Sequence, residues 1–220
     1  MQTAGYYAVQ LPGTNYTVLN MNSMYCDIDD ESRSDHAGEA TVELNWLQYQ
    51  LGVARLTGRK IILLDHVYAG SRFQGEELNK PECAKPYFSM LRDYHDVVII
   101  EVAGHDHYAD LRYHSSNNVL DLPDPAVKFD FHNILISPGV TTWDEQNPGV
   151  AYFEINQTTN IPENLKMEFL NIQSTIGKAG LSYSDLDFNS FDLTSWGQKT
   201  IDPVGLADFR KLLELDETYT

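Results

Sequence analysis

The chain has 220 residues, 42% of them hydrophobic, with thirteen Tyr, nine Phe and three Trp, enough to bury a core and too apolar for a disordered polypeptide. Its formal net charge is −17, from 32 acidic against 15 basic residues, and no basic run is longer than Gly58-Arg59-Lys60. That argues against a nucleic-acid partner, which needs a local excess of Lys and Arg, and against an anionic membrane surface; no apolar run approaches the ~20 residues of a transmembrane segment.

The N-terminal MQTAGYYAVQLPG lacks the charged and apolar regions of a signal peptide. It opens on strand-like residues, as a truncated or processed chain does. Tyr6 to Val9 reads as a strand closed by the Pro12-Gly13 turn, and Tyr16 to Met21 as a second strand. Cys26 to Gly38 is a polar, acidic loop; read as a calcium cluster, it lacks the EF-hand spacing and glycine. Glu39 to Arg55 has helical periodicity, with Val42, Trp46, Leu47, Gln50, Leu51 and Ala54 on one face and Glu39, Glu43 and Gln48 turned away. Gly58 closes that helix. Lys60 to Leu64 is an apolar strand ending at Asp65-His66, and Ala84 to Tyr94 is a second amphipathic helix. Val97 to Val102, mostly β-branched, reads as a buried strand. It breaks at Ala103-Gly104, and His105 and His107 follow.

The order strand, helix, strand, helix, strand predicts an α/β layer architecture. Leu111–Tyr113, Asn133–Ser137, Val150–Ile155 and Lys166–Ile172 are short strands joined by turn-rich links, read as a mostly antiparallel meander completing a sheet. The tail carries a helix near residues 203–215, with Asp202 as N-cap, Pro203 at the first position and Leu206, Phe209, Leu212 and Leu213 on one face.

Chemistry concentrates at the histidines. If the backbone stays extended past Val102, His105 and His107 at i and i+2 send both imidazoles to one side, which suits a borderline divalent ion such as zinc. Two polar loop histidines are the plain alternative. His66 repeats the context of His105, a run of aliphatics before and a glycine-containing loop after. Ligands gather at the carboxyl ends of neighbouring parallel strands, so His66, His105 and His107 are expected at one sheet edge. Tyr108 and Asp110 are candidates to line the pocket, with plain rim residues the alternative, and Asp106 reads as solvated or a turn former. His36, His95, His114 and His132 have no sequence reason to be ligands. Cys26 and Cys83 form one disulfide in an oxidising compartment and stay thiols in the cytosol. Asn15 and Asn156 open N-glycosylation sequons, used if the protein is secreted.

In order along the chain, these residues resemble the C-terminal half of a calcineurin-like metallophosphoesterase domain, of the acid sphingomyelinase-like phosphodiesterase branch. Gly104-His105-Asp106-His107 matches the family's Gly-His-x-His block, and His66 its isolated strand-end histidine. Leu19-Asn20-Met21-Asn22, Leu44-Asn45-Trp46-Leu47 and Asn147-Pro148-Gly149 match further segments, so the likeness runs from about Gly5 to Ile155. It implies part of a four-layer α/β/β/α sandwich over residues 1–175, then a C-terminal extension over 176–220. It implies two divalent ions, commonly zinc, with His66 and His105 on one and His107 on the other, and Asn22, Tyr68 and Tyr108 near the substrate. Two ions about 3.5–4 Å apart polarise a phosphate for in-line attack by a bridging hydroxide. The implied substrate is a small phosphodiester or a phospholipid head group, in a secreted or lysosomal/vesicular setting.

Three family blocks, Asp-x-His, Gly-Asp-x-x-Asp and Gly-Asn-His, precede the Leu-Asn segment in relatives and are not found here. The expectation is therefore that an N-terminal half supplies the remaining ligands and that this portion alone is inactive. A non-catalytic module serving as an interaction or structural subunit is the alternative. The relatives' His-x-Pro-Pro-Gly is here His66-Val67-Tyr68-Ala69-Gly70, a less rigid path that leaves the leaving-group preference open.

Overall fold

The computed structural model describes residues 5–29, 36–72, 75–115, 130–143, 146–178, 180, 182–203 and 205–206. In chain order its elements are β1 (Tyr7–Gln10), β2 (Tyr16–Asn20), α1 (Ala37–Thr57), β3 (Lys60–Leu64), α2 (Pro81–Asp93), β4 (Val98–Ala103), β5 (Asp110–Ser115) and β6 (Asp130–Ile136). β7 (Gly149–Ile155), β8 (Pro162–Leu170) and β9 (Phe188–Asp192) follow. β2, β3, β4 and β6 lie side by side and parallel, with β1 and β5 antiparallel at the two edges. β7, β8 and β9 form a separate antiparallel sheet. The chain is thus α/β.

The parallel strands are covered on both faces, which is why β3 and β4 read as unbroken aliphatic runs. Leu19, Ile61, Leu63 and Val98 pack against Leu47, Leu51, Phe88 and Leu91 of the two helices. On the opposite face Tyr16, Ile62, Ile100 and Leu135 meet Leu165, Leu193 and Ile201 from the second sheet and its extensions. Leucines buried this fully contribute roughly 1.5–3 kcal/mol each over exposed ones. Helices, sheet and sheet make three layers; a second helical layer is not among the described residues.

The single meander expected after His114 is divided between the two sheets. Ile134, Leu135 and Ile136 are almost wholly buried, so β6 takes an interior place beside β4. β7 alternates, with Val150 and Tyr152 outside, and belongs to a sheet covered on one face.

Helix α1 also departs from its expected face. Its buried residues are Ala40, Glu43, Leu47, Leu51 and Ala54, while Val42 is 59% exposed. Glu43 turns inward because its Oε1 accepts the Asn22 N–H at 2.6 Å, just past the end of β2. Gly58 ends the helix at φ +69°, a left-handed position that glycine takes freely. Helix α2 begins at Pro81 rather than Ala84, because proline is well placed in a first helical turn. That brings Cys83 into the helix, bridged to Cys26 with Cα atoms 5.7 Å apart.

At the start of the expected tail helix, Asp202 Oδ1 accepts the Gly205 N–H at 2.8 Å, as an N-cap does. Phe209, Leu212 and Leu213 lie outside the described residues. No helix among the described residues is long and apolar enough to cross a membrane.

Candidate functional site

β3 and β4 end together, and their ladder continues past the last strand residues. The Asp65 N–H donates to the Val102 carbonyl at 3.2 Å, and the Gly104 N–H to the His66 carbonyl at 3.1 Å. This places His66 beside His105, with ring centroids 5.3 Å apart and the rings edge to face. Ser23, just past β2, accepts the N–H groups of His66 and Val67 with its Oγ at 3.1 and 2.8 Å. Ser137, just past β6, donates its N–H to the Ala103 carbonyl at 2.8 Å. The pair therefore stands at the carboxyl edge of a parallel sheet, where such folds hold ligands.

His107 does not follow. The expected extended backbone is absent, because β4 stops at Ala103 and both His105 and His107 take positive φ, +80° and +61°, values uncommon for non-glycine residues and often found at functional loops. His105 lines a cleft of about 790 Å³ with Arg72, Asp106, Tyr108, Arg112 and Trp143. His107 lines another, of about 650 Å³, walled by Leu165, Met167, Phe169 and Phe191 between the sheets. The His107 Nδ1 is 3.0 Å from Thr141 Oγ1. Its ring also packs on Gly139, where a Cβ would meet His107 Cγ at 3.0 Å.

A tetrahedral divalent ion takes four donors as a rule, and the His66 and His105 pair would offer two imidazoles toward one. Burial, reinforced by nearby His66 and Arg72, outweighs the opposing pull of Asp106 and holds the His105 pKa below its ordinary value, so the ring is neutral at pH 7, as a ligand must be. Among the described residues, no three His, Cys, Asp or Glu side chains are grouped to hold an ion. The residues present fit half of one site, and the two-ion set is not contained in them.

The remaining candidates divide. Tyr108, 45% exposed, borders the His105 cleft. Tyr68 is wholly buried: it lies beneath Arg112, whose Cζ is 4.7 Å from the ring centre, and its hydroxyl donates to Asp106, both of which line the His105 cleft. Burial first, then that hydrogen bond, push its pKa up. Asn22 packs beside Gly5 and sits next to Ser23, and it is not among the residues lining the His105 cleft. Asn15 is exposed in the β1–β2 turn, whereas the Asn156 side chain accepts the N–H groups of Thr158 and Thr159.

The sequence reading missed two groups of residues. Asp106 is a hub, not a solvated turn former: its side chain is 14% exposed and it also accepts from Arg72 Nε at 3.2 Å. Arg72 and Arg112 reach the cleft from separate loop and strand positions, and no sequence spacing announces them. Under the histidine pair, Glu101 accepts from the Tyr87 hydroxyl at 2.8 Å and pairs with His132 Nε2 at 2.6 Å. Burial raises Glu101, but His132 and Tyr87 together outweigh it and leave its pKa lowered. Burial and Glu101 hold Asp65 well above the carboxylate range. His114 lies stacked 6.0 Å from His132, and burial and then His132 push its pKa down to about 4. One acid inside an aliphatic strand, VVIIEVA, is the signal that leads to this network.

No family model matches the chain. It is similar to Sphingomyelin phosphodiesterase B of Dictyostelium discoideum, 21% identical over an alignment of 164 residues that covers 72% of this chain and 24% of the relative. It is similar to Acid sphingomyelinase-like phosphodiesterase 3b of Mus musculus, 24% identical over an alignment of 183 residues that covers 76% of this chain and 38% of the relative. A shorter likeness, 29% over 114 residues, covers 49% of this chain and 15% of an Endopolyphosphatase of Neurospora crassa. The chain thus spans well under half the length of these relatives, and its similarity is to proteins named for cleaving phosphodiester and polyphosphate bonds.

Proposed function

We propose that this chain carries part of the active site of a metal-dependent phosphodiesterase of the sphingomyelinase-like kind. The observation that supports it most is the pairing of His66 with His105 at neighbouring parallel strand ends, 5.3 Å apart and beside an open cleft. In this reading His66 and His105 hold one zinc ion, His107 serves a second, and residues outside the described ones complete both. A bound ion supplies a Lewis acid and lowers the pKa of its water. The chain's own residues keep His105 neutral, set the two rings at one edge, and shape the cleft with Tyr108, Trp143 and Arg112. The substrate is a phosphodiester, a small soluble ester or a phospholipid head group, and the net charge of −17 favours the soluble ester. The Cys26–Cys83 bridge supports a secreted or vesicular setting, where Asn15 and Asn156 are available for glycosylation.

The second reading, a non-catalytic module, draws on His107 facing a different cleft from His105. The two readings separate in an assay of bis(p-nitrophenyl) phosphate hydrolysis by the protein that carries this chain, with zinc added. The enzyme reading expects His105→Ala to lower kcat/KM by about 100-fold or more, with the circular dichroism spectrum unchanged. Background rates in the parent, or an undiminished rate in H105A, contradict it.

A further inference from the structure

Resting on the reading of His105 as an ion ligand, we infer that Arg72 is the group this chain sets against the ion: its guanidinium occupies His105 and must withdraw before a cation can bind there. Arg72 Nη2 lies 3.0 Å from His105 Nε2. A guanidinium only donates hydrogen bonds, so Nε2 is the acceptor and its lone pair is spent on Arg72. An ion arriving at Nε2 competes for that same lone pair. An ion arriving at Nδ1 requires the proton to sit on Nε2, where it faces a second donor. A metal-bound histidine usually gives its other N–H to a carboxylate, a carbonyl or water, and Arg72 is none of these. The contact is therefore incompatible with a metal-bound His105 whichever ring nitrogen coordinates.

The same surroundings give Arg72 somewhere to go. Its Nε is anchored by Asp106 at 3.2 Å, where the acid is 14% exposed. Its outer nitrogens meet Asp29 and Glu76, each at 3.4 Å, and these two acids are 59% and 65% exposed. Exposed pairs of that kind hold weakly, and Arg72 is itself one-third exposed. Rotation about the Asp106 anchor, toward Asp29 and Glu76, frees His105 without leaving the charge unpaired. Arg72 is thus a positioning residue that sets how readily the site takes a cation.

The test is calorimetric titration of zinc into the metal-free protein that carries this chain: parent, Arg72→Gln and Arg72→Ala, each with and without His105→Ala. Loss of one charge-assisted hydrogen bond predicts that R72Q and R72A bind zinc about tenfold tighter than the parent, and that H105A abolishes the gain. Zinc bound equally by parent and Arg72 variants, with H105A weakening all of them, overturns this inference and leaves the metal reading standing. A gain that persists without His105 also overturns it. Zinc binding unaffected by H105A in every background, or no binding at all, overturns both.

Discussion

Glu43 has been moved by its burial into a different titration range. It sits 3% exposed under β2, and burial, opposed in part by the Asn22 N–H, raises its pKa from 4.5 to about 7. Between those two values the folded chain keeps a proton that the unfolded chain has released. The stability from this group is therefore complete below about pH 4.5 and falls as pH rises through 7. Gln keeps the acceptor and removes the titration. Urea unfolding of Glu43→Gln is expected to match the parent near pH 4.5 and exceed it at pH 8, by up to about 3 kcal/mol. His114, with its pKa lowered to about 4, acts in the opposite sense, costing stability as pH falls below its ordinary value. It is common to both proteins and cancels in the comparison. Equal stability at both pH values contradicts the burial argument.

At the scale of elements, the Cys26–Cys83 bridge encloses α1 and β3 in a loop of 57 residues by sequence separation. Restricting an unfolded chain by that loop is worth about 4 kcal/mol in the chain-entropy account. Reduction, or Cys26→Ser with Cys83→Ser, should lower the urea midpoint accordingly, whereas an unmoved midpoint means the bridge holds nothing the core does not. What the sequence reveals of these elements follows from burial. β3 and β4 are legible because a strand covered on both faces must be aliphatic throughout. β9, FNSFD, is not, since an edge strand of a half-exposed sheet carries no such run. The α1 face departs from its periodicity because a hydrogen bond from the Asn22 N–H turns Glu43 inward. His66 and His105 were legible through a repeated local context. The course of His107 was set by two left-handed residues, and the contacts of Arg72 by a loop folding across the sheet edge, neither of which leaves a spacing to read.

Across the whole molecule, the parallel sheet gathers the ends of β2, β3, β4 and β6 into one rim, and the cleft opens beside it. The chain carries a charge of −17, so its general field attracts cations, while Arg72 and Arg112 keep the cleft itself mixed in sign. The account stands on two imidazoles from neighbouring strand ends sharing one ion. Zinc-edge X-ray absorption of the zinc-loaded protein measures that directly. The expected spectrum has nitrogen or oxygen scatterers at about 2.0–2.1 Å with the outer-shell pattern of imidazole, and that pattern is weakened in the protein carrying both His66→Ala and His105→Ala, which keeps His107. A spectrum that the double substitution leaves unchanged, or one without imidazole in the parent, contradicts it.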